Sequence, residues 1–331
     1  MSLTSDNFGS SARQRFIDGQ LVLRDKLVRR AEQQILVAHL IGSHQAEDEY
    51  SYVNCEGVGR ERVYTSFQLH FDERQRPGPA AARFGRLETG RPIRTQVFQV
   101  AGCDLRCWYC FVDFQLLSGL NNRGRWLTAQ DLFELMKSSG EYPPVIELSG
   151  GQVELVPEWT LWMMRELERL RLDGEIAVWS DDNLTSDFFW RFLSPTEQSY
   201  VKSFPRYSRA VCLKGFDEES FEVNTGFPGE IFLRQIEILN RLISEDFPLV
   251  IYLTVVDKAR PDEVVEAKMA SFAQILEAIR PGLSRDVIPL RMASFRNMMR
   301  RANSHRLEMF GLQRARFCAW QKTVETHFAG S

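Results

Sequence analysis

The sequence predicts an α/β protein in which six parallel strands, joined by crossover helices, form an open or partial barrel. An extension precedes this barrel and a helical segment follows it. Three observations carry the expectation. Strand and helix patterns alternate from about residue 93 onward. Each strand-plus-helix repeat spans roughly 30 to 50 residues, the length of one βα unit. The 331 residues, 44% hydrophobic and 26% charged, suit one large α/β unit with an appendage.

Residues 94–100 read as the first strand. Thr128 caps a helix that carries Asp131 in its first turn, continues through apolar Leu132, Phe133, Leu135 and Met136, and stops at Gly140. Residues 145–148 form the second strand, Pro157 opens a helix to about Leu170, and Gly174 precedes a third strand over 175–179. The series continues with a helix over 185–193, a fourth strand over 210–214 and a helix over 230–242. A fifth strand over 249–255, a helix over 262–279 and a sixth strand over 287–292 complete it. Residues 93–295 are thus the barrel, with ligands expected beyond the C-terminal ends of its strands.

The flanks read differently. In the extension, residues 1–92, an amphipathic helix is expected over 21–40, a strand over 63–71 and a loop at Arg76-Pro77-Gly78-Pro79. Residues 296–331 form a basic helical segment with Arg296, Arg300, Arg301, Arg306, Arg314 and Arg316. At helical spacing these read first as a solvated face, and alternatively as a cover over an anionic substrate.

Charge and hydropathy narrow the function. Lys and Arg total 41 against 44 Asp and Glu, a formal charge of −3, so no global basic field favours nucleic acid or an anionic membrane. No run approaches the roughly 18 to 20 apolar residues of a membrane span, and Met1-Ser2-Leu3-Thr4-Ser5-Asp6 lacks a basic-then-apolar signal. The expectation is a cytoplasmic protein without a membrane partner. In that reducing compartment six cysteines are better asked for chemistry than for disulfides.

Three of them form Cys103-x3-Cys107-x2-Cys110 in the loop after the first strand. Chance would place such a triplet in a chain of this composition only about 0.002 times. Three thiolates within eight residues can converge on a soft metal centre, and the lack of a nearby histidine or fourth cysteine disfavours closed tetrahedral zinc. In a [4Fe-4S] cluster, three ligands leave one iron open for a small molecule that accepts an electron. A zinc site completed by distant Cys55, Cys212 or Cys318 is the structural alternative. Those three are isolated, which leaves too few for a second cluster, and Cys318 reads as packed.

This loop resembles the radical S-adenosylmethionine (radical SAM) superfamily, whose cluster motif has this C-x3-C-x-aromatic-C form. The resemblance covers about residues 93–295. It implies a partial (β/α)6 barrel, a [4Fe-4S] cluster on Cys103, Cys107 and Cys110, and Tyr109 at the aromatic position. It also implies S-adenosylmethionine as cofactor, cleaved reductively to a 5′-deoxyadenosyl radical that abstracts hydrogen from a substrate. An electron donor such as flavodoxin or ferredoxin is the implied partner.

Further motifs resemble the family less closely. Ser149-Gly150-Gly151-Gln152 follows the second strand where the family has Gly-Gly-Glu against the amino group of the methionine moiety. Gly150 and Gly151 permit close backbone approach to a ligand. Gln152 keeps an acceptor but loses the charge, and Glu154 is a substitute. Asp181 and Asp182, in Ser180-Asp181-Asp182-Asn183, suit ribose hydroxyls or a substrate, and equally a helix N-cap.

Cys212-Leu213-Lys214-Gly215-Phe216-Asp217, with Thr225-Gly226 beyond, is similar to glycyl-radical-enzyme activases. Lys214, at the end of the fourth strand, and Arg291, on the sixth, are candidate catalytic residues, with simple pairing to a nearby acid as the alternative. The substrate stays open between a protein glycine, a peptide, a nucleoside and another small metabolite. A non-catalytic metal-binding or interaction protein is the reading of another class, favoured by Gln152.

Overall fold

The structure, a computed structural model, describes residues 12–47, 52–64 and 93–329. The strands are β1 (Val28–Arg29), β2 (Gln34–Ala38), β3 (Tyr52–Asn54), β4 (Gly59–Tyr64), β5 (Ile93–Gln99), β6 (Gly124–Leu127), β7 (Val145–Ser149), β8 (Ala177–Asp182), β9 (Tyr207–Leu213), β10 (Leu249–Leu253) and β11 (Val287–Pro289). Eight of them form one sheet in the order β11-β10-β9-β8-β7-β5-β4-β3. From β5 to β11 the pairing is parallel and follows chain order, whereas β4 and β3 extend the β5 edge antiparallel. The protein is therefore α/β with a mixed, mainly parallel sheet. Among the described residues, β11 and β3 are its open edges.

Side-chain alternation divides the sheet's two faces, because successive residues of a strand point to opposite sides. Ile146, Leu148, Val178, Val211, Leu213, Ile251 and Leu253 join the main core, which also holds Leu167, Leu239 and Phe272 of the crossover helices. The alternate residues form two small separate clusters, Ile93, Val145 and Ala177, and Ala210, Val250 and Tyr252, with Trp179 touching both. The second face is thus apolar at its floor and open above it. The helices Ala129–Ser139, Glu158–Leu170, Glu230–Ser244 and Asp262–Ile279 stand where the periodicity places them. Thr128 and Asp131 cap the first of these reciprocally, with the Thr128 amide donating to Asp131 (2.8 Å) and the Asp131 amide to the Thr128 hydroxyl (3.1 Å).

Four local expectations need correction. Residues 21–40 are not one helix: a helix over Ala12–Arg24 is followed by β1 and β2. Ile35, Leu36, Val37 and Ala38 are all fully buried, which a helix with one apolar face cannot achieve, and β2 lies between β1 and β6 in a second sheet. The third parallel strand begins at Ala177 because the Glu175 and Ile176 amides both turn back to the Leu172 carbonyl (2.9 Å each). The helix expected over 185–193 shrinks to Phe188–Phe192, since Thr185 and Ser186 are spent on buried hydrogen bonds to Asp104 (2.6 Å) and the Glu154 carbonyl (3.1 Å). β11 is short because its partner β10 ends at Leu253. Of the strand expected over 63–71, Val63 and Tyr64 end β4 and the remainder lies outside the described residues, as does Arg76-Pro77-Gly78-Pro79. No helix among the described residues is long and apolar enough to cross a membrane.

Candidate functional site

A cavity of about 230 Å³ runs along one face of the sheet, from Ile93 and Val145 at the starts of β5 and β7 to Ser149, Asp181 and Lys214 at or just beyond the C-terminal ends of the parallel strands, and Cys103, Cys107 and Cys110 all line it. Cys103 and Cys107 are buried, and no cysteine is in a disulfide. Burial pushes the Cys103 thiol up, with Asp104 and Cys107 adding to the rise. It pushes Cys107 up to about 12 against the pull of the Lys214 cation. Thiols raised in this way stay protonated unless a cation compensates them. Among the described residues the cavity wall carries these three thiols and no histidine, a donor set that fits a soft, thiolate-bound centre. Among the described residues, no three Cys, His, Asp or Glu donors stand together as ligands of a single ion.

Distant parts of the chain fasten the cysteine loop. Arg301, in the helix Arg296–Arg301, donates to the carbonyls of Trp108 (3.2 Å), Val112 (3.0 Å) and Cys110, and its guanidinium lies 4.0 Å over Phe114. Asn297 donates to the Phe111 carbonyl (2.9 Å). From the N-terminal side, Gln20 donates to Asp104 (2.7 Å), which also accepts from Thr185. The Trp108 amide donates to the Asn224 carbonyl (3.3 Å). Tyr109 is buried with its hydroxyl 3.0 Å from that of Thr254, so its ring is a wall of the cavity. Of the basic residues read as a solvated face, Arg301 and Arg316 turn inward, the latter 3.0 Å from Asp262.

Gly150 and Gly151 line the same cavity, but what a side chain there would meet is protein. Gly150 has φ +82°, and a Cβ would stand 2.4 Å from the Gln99 side chain. A Cβ on Gly151 would stand 2.0 Å from the Gly102 carbonyl oxygen, and the Gln152 amide donates to that same oxygen (2.9 Å). The two loops are thus pressed together backbone to backbone. Gln152 itself is fully buried outside the cavity lining. Its amide donates to Asp182 (3.0 Å) and Thr185 (3.2 Å), and its oxygen accepts from the Asn183 amide (2.9 Å). Glu154 is likewise buried and pairs with Arg209 (3.2 Å), which also faces Asp182 (3.6 Å).

The two aspartates divide. Asp182 is buried, tied to Gln152 and to the Leu184 amide (2.7 Å), and only borders the cavity. Asp181 faces it, accepting from the Ser149 hydroxyl and from the Trp179 indole (3.0 Å). Burial and the neighbouring Glu147 push its carboxyl up to about 7. Lys214 follows β9 directly and lines the cavity, its backbone amide held by Gln235 (3.1 Å). Arg291 also lines it, beyond the end of β11 and exposed rather than on the strand.

Sequence reasoning missed Glu147, and it named Asn183, Cys212 and Arg301 only as part of the turn after the third strand, as an isolated cysteine and as part of the basic run, without the places they take at this cavity and its cysteine loop. Strand alternation was the available signal for two of them. Val145, Glu147 and Ser149 face inward together, as do Ala210, Cys212 and Lys214, which puts Cys212 in the cavity rather than in the core. Cys318, expected to be packed, is exposed, because Gln313, Arg316, Phe317 and Trp320 supply the buried side of the helix Ser304–Ala329. No protein-family model matches the chain, and no curated protein matches it.

Proposed function

We propose that the protein is a radical SAM enzyme, in which Cys103, Cys107 and Cys110 hold a [4Fe-4S] cluster and the six parallel strands act as a partial (β/α)6 barrel. The observation that carries this reading is the placement of all three thiols of one loop on a single cavity together with Ser149, Gly150, Gly151, Asp181 and Lys214, which stand at or just beyond the C-terminal ends of the parallel strands. A cluster held there by Cys103, Cys107 and Cys110 would supply the one-electron reduction that cleaves S-adenosylmethionine to methionine and a 5′-deoxyadenosyl radical able to take hydrogen from a substrate. The chain's own contribution is orientation and exclusion of water. Tyr109 and Phe111 wall the cysteine loop, while Asp181 and Lys214 present an acceptor and a cation to whatever the cavity admits. Gln152, fully engaged within the protein, leaves the recognition of an ammonium group to other cavity residues.

That engagement also favours a second reading, a non-catalytic metal-binding protein on the same sheet. Anaerobic reconstitution separates the two. A brown protein with four irons whose paramagnetic spectrum changes on adding S-adenosylmethionine, and which forms 5′-deoxyadenosine with dithionite, supports the enzyme. Colourless zinc-loaded protein sinks it. Cys107→Ala is expected to lose cluster and cleavage together.

A further inference from the structure

We infer that Asn183 is a positioning residue that donates a hydrogen bond to the Cys103 sulfur and thereby raises the reduction potential of the cluster held there; the inference rests on the iron–sulfur reading above. Asn183 Nδ2 stands 3.4 Å from Cys103 Sγ, an ordinary distance for an N–H donor to sulfur. The side chain lines the cavity beside the cysteine loop. A donor aimed at a ligand sulfur stabilises the more negative, reduced state, and such bonds are one of the protein's principal controls over cluster potential.

What distinguishes this contact from a chance approach is how firmly Asn183 is held. Its backbone amide donates to Gln152 Oε1 (2.9 Å), and its backbone carbonyl accepts from Gln235 Nε2. On one side Asp182 is fixed by Gln152 Nε2 (3.0 Å) and by the Leu184 amide (2.7 Å). On the other, Leu184 sits at φ +58°, a turn that closes the segment. Gln152 and Gln235 are both fully buried, so this clamp on a three-residue loop is made inside the protein rather than by solvent. Gln152 thus acquires a role that an acid could fill only in part. It must accept from Asn183 and donate to Asp182 at once, and a carboxylate can do only the first.

The test uses the full chain, reconstituted anaerobically with iron and sulfide and titrated for midpoint potential by visible absorbance and by the paramagnetic signal of the reduced cluster. Asn183→Leu, which removes the donor at similar size, is expected to shift the midpoint to lower potential at unchanged iron content. It is also expected to lose an exchangeable-proton coupling to the reduced cluster's spin that the parent shows. Asn183→Ser, too short to reach Cys103, gives the same shift and serves where the leucine variant holds less iron. Equal midpoints in the parent and in either iron-replete variant overturn the inference while leaving the cluster reading intact. A parent that forms no iron–sulfur chromophore removes both.

Discussion

At the scale of single residues, the site is built from side chains whose hydrogen-bond valence is used up. Gln152 is the plainest case, with two donors and one acceptor all engaged and no solvent contact. Gln152→Glu places a carboxylate beside Asp182 with no donor to offer. It is expected to destabilise the fold by about 2 to 4 kcal/mol at pH 8, measured by urea unfolding; unchanged stability would show that the amide protons of Gln152 are dispensable. Asp181 gives a pH signature. Its carboxyl is raised from an ordinary 3.8 to about 7 by burial and by Glu147, so between those values the native state binds more protons than the unfolded chain. Stability from this group is complete below about pH 4 and declines as pH rises through 7. Asp181→Asn removes that slope, so the variant gains on the parent between pH 5 and 7.5 in paired urea titrations; parallel curves would refute the assignment.

These residues also mark where the sequence stopped being readable. The cysteine triplet was legible because its spacing is rare and its chemistry narrow. The Gly-Gly pair was legible as a requirement for small residues, but what requires them is the Gly102 carbonyl and the Gln99 side chain, contacts between loops that no local pattern encodes. Gln152 stood out only as a departure from a pattern. Its partners Asp182, Asn183 and Thr185 lie some thirty residues downstream and are brought close by the register of β7 against β8.

At the scale of elements, inner-facing alternation on the parallel strands decides which side chains reach the cavity, and periodicity had located all six strands. Their ends were harder, because termini follow neighbours: β11 stops where β10 stops, and β8 starts where the Leu172 carbonyl releases the backbone. The helix Arg296–Arg301 shows the reverse case, a basic run whose composition suggests solvent and whose Arg301 instead caps three carbonyls of the cysteine loop. Arg301→Ala is expected to loosen that loop. In metal-free protein, alkylation of Cys107 and Cys110 should accelerate several-fold by mass spectrometry while exposed Cys318 reacts at its parental rate. Arg301→Lys does not restore protection, since an ammonium lacks the planar fork that spans three acceptors. Unaltered rates in Arg301→Ala would remove the clamp.

At the scale of the whole molecule, the N-terminal residues underlie the site rather than decorate it. The Ala101 amide donates to the Leu36 carbonyl of β2 (2.9 Å), and Leu27 fills the space that a side chain on Gly102 would need. The helix Ala12–Arg24 reaches across to Leu155 and Glu158 through Arg24, whose side chain and that of Glu158 are both buried. Removing one member of a buried pair strands the other charge, so Arg24→Ala is expected to cost about 3 kcal/mol in urea unfolding. A loss below about 1 kcal/mol would mean that Arg30, 3.7 Å from the same carboxylate, takes over. None of this was visible in the sequence, where residues 21–40 suggested one amphipathic helix, because their role depends on a sheet completed ninety residues later at Gly124–Leu127.

The fastening of the cysteine loop has a consequence for the order of events during synthesis. Its backbone and side chains are held by Gln20, Gln152, Asn183, Asn224 and Arg301, positions spread over nearly the whole chain. A nascent polypeptide exposes Cys103, Cys107 and Cys110 long before the last of these holders has left the ribosome. The finished geometry of the loop is therefore reached only once Arg301 has been synthesised and has folded back onto it.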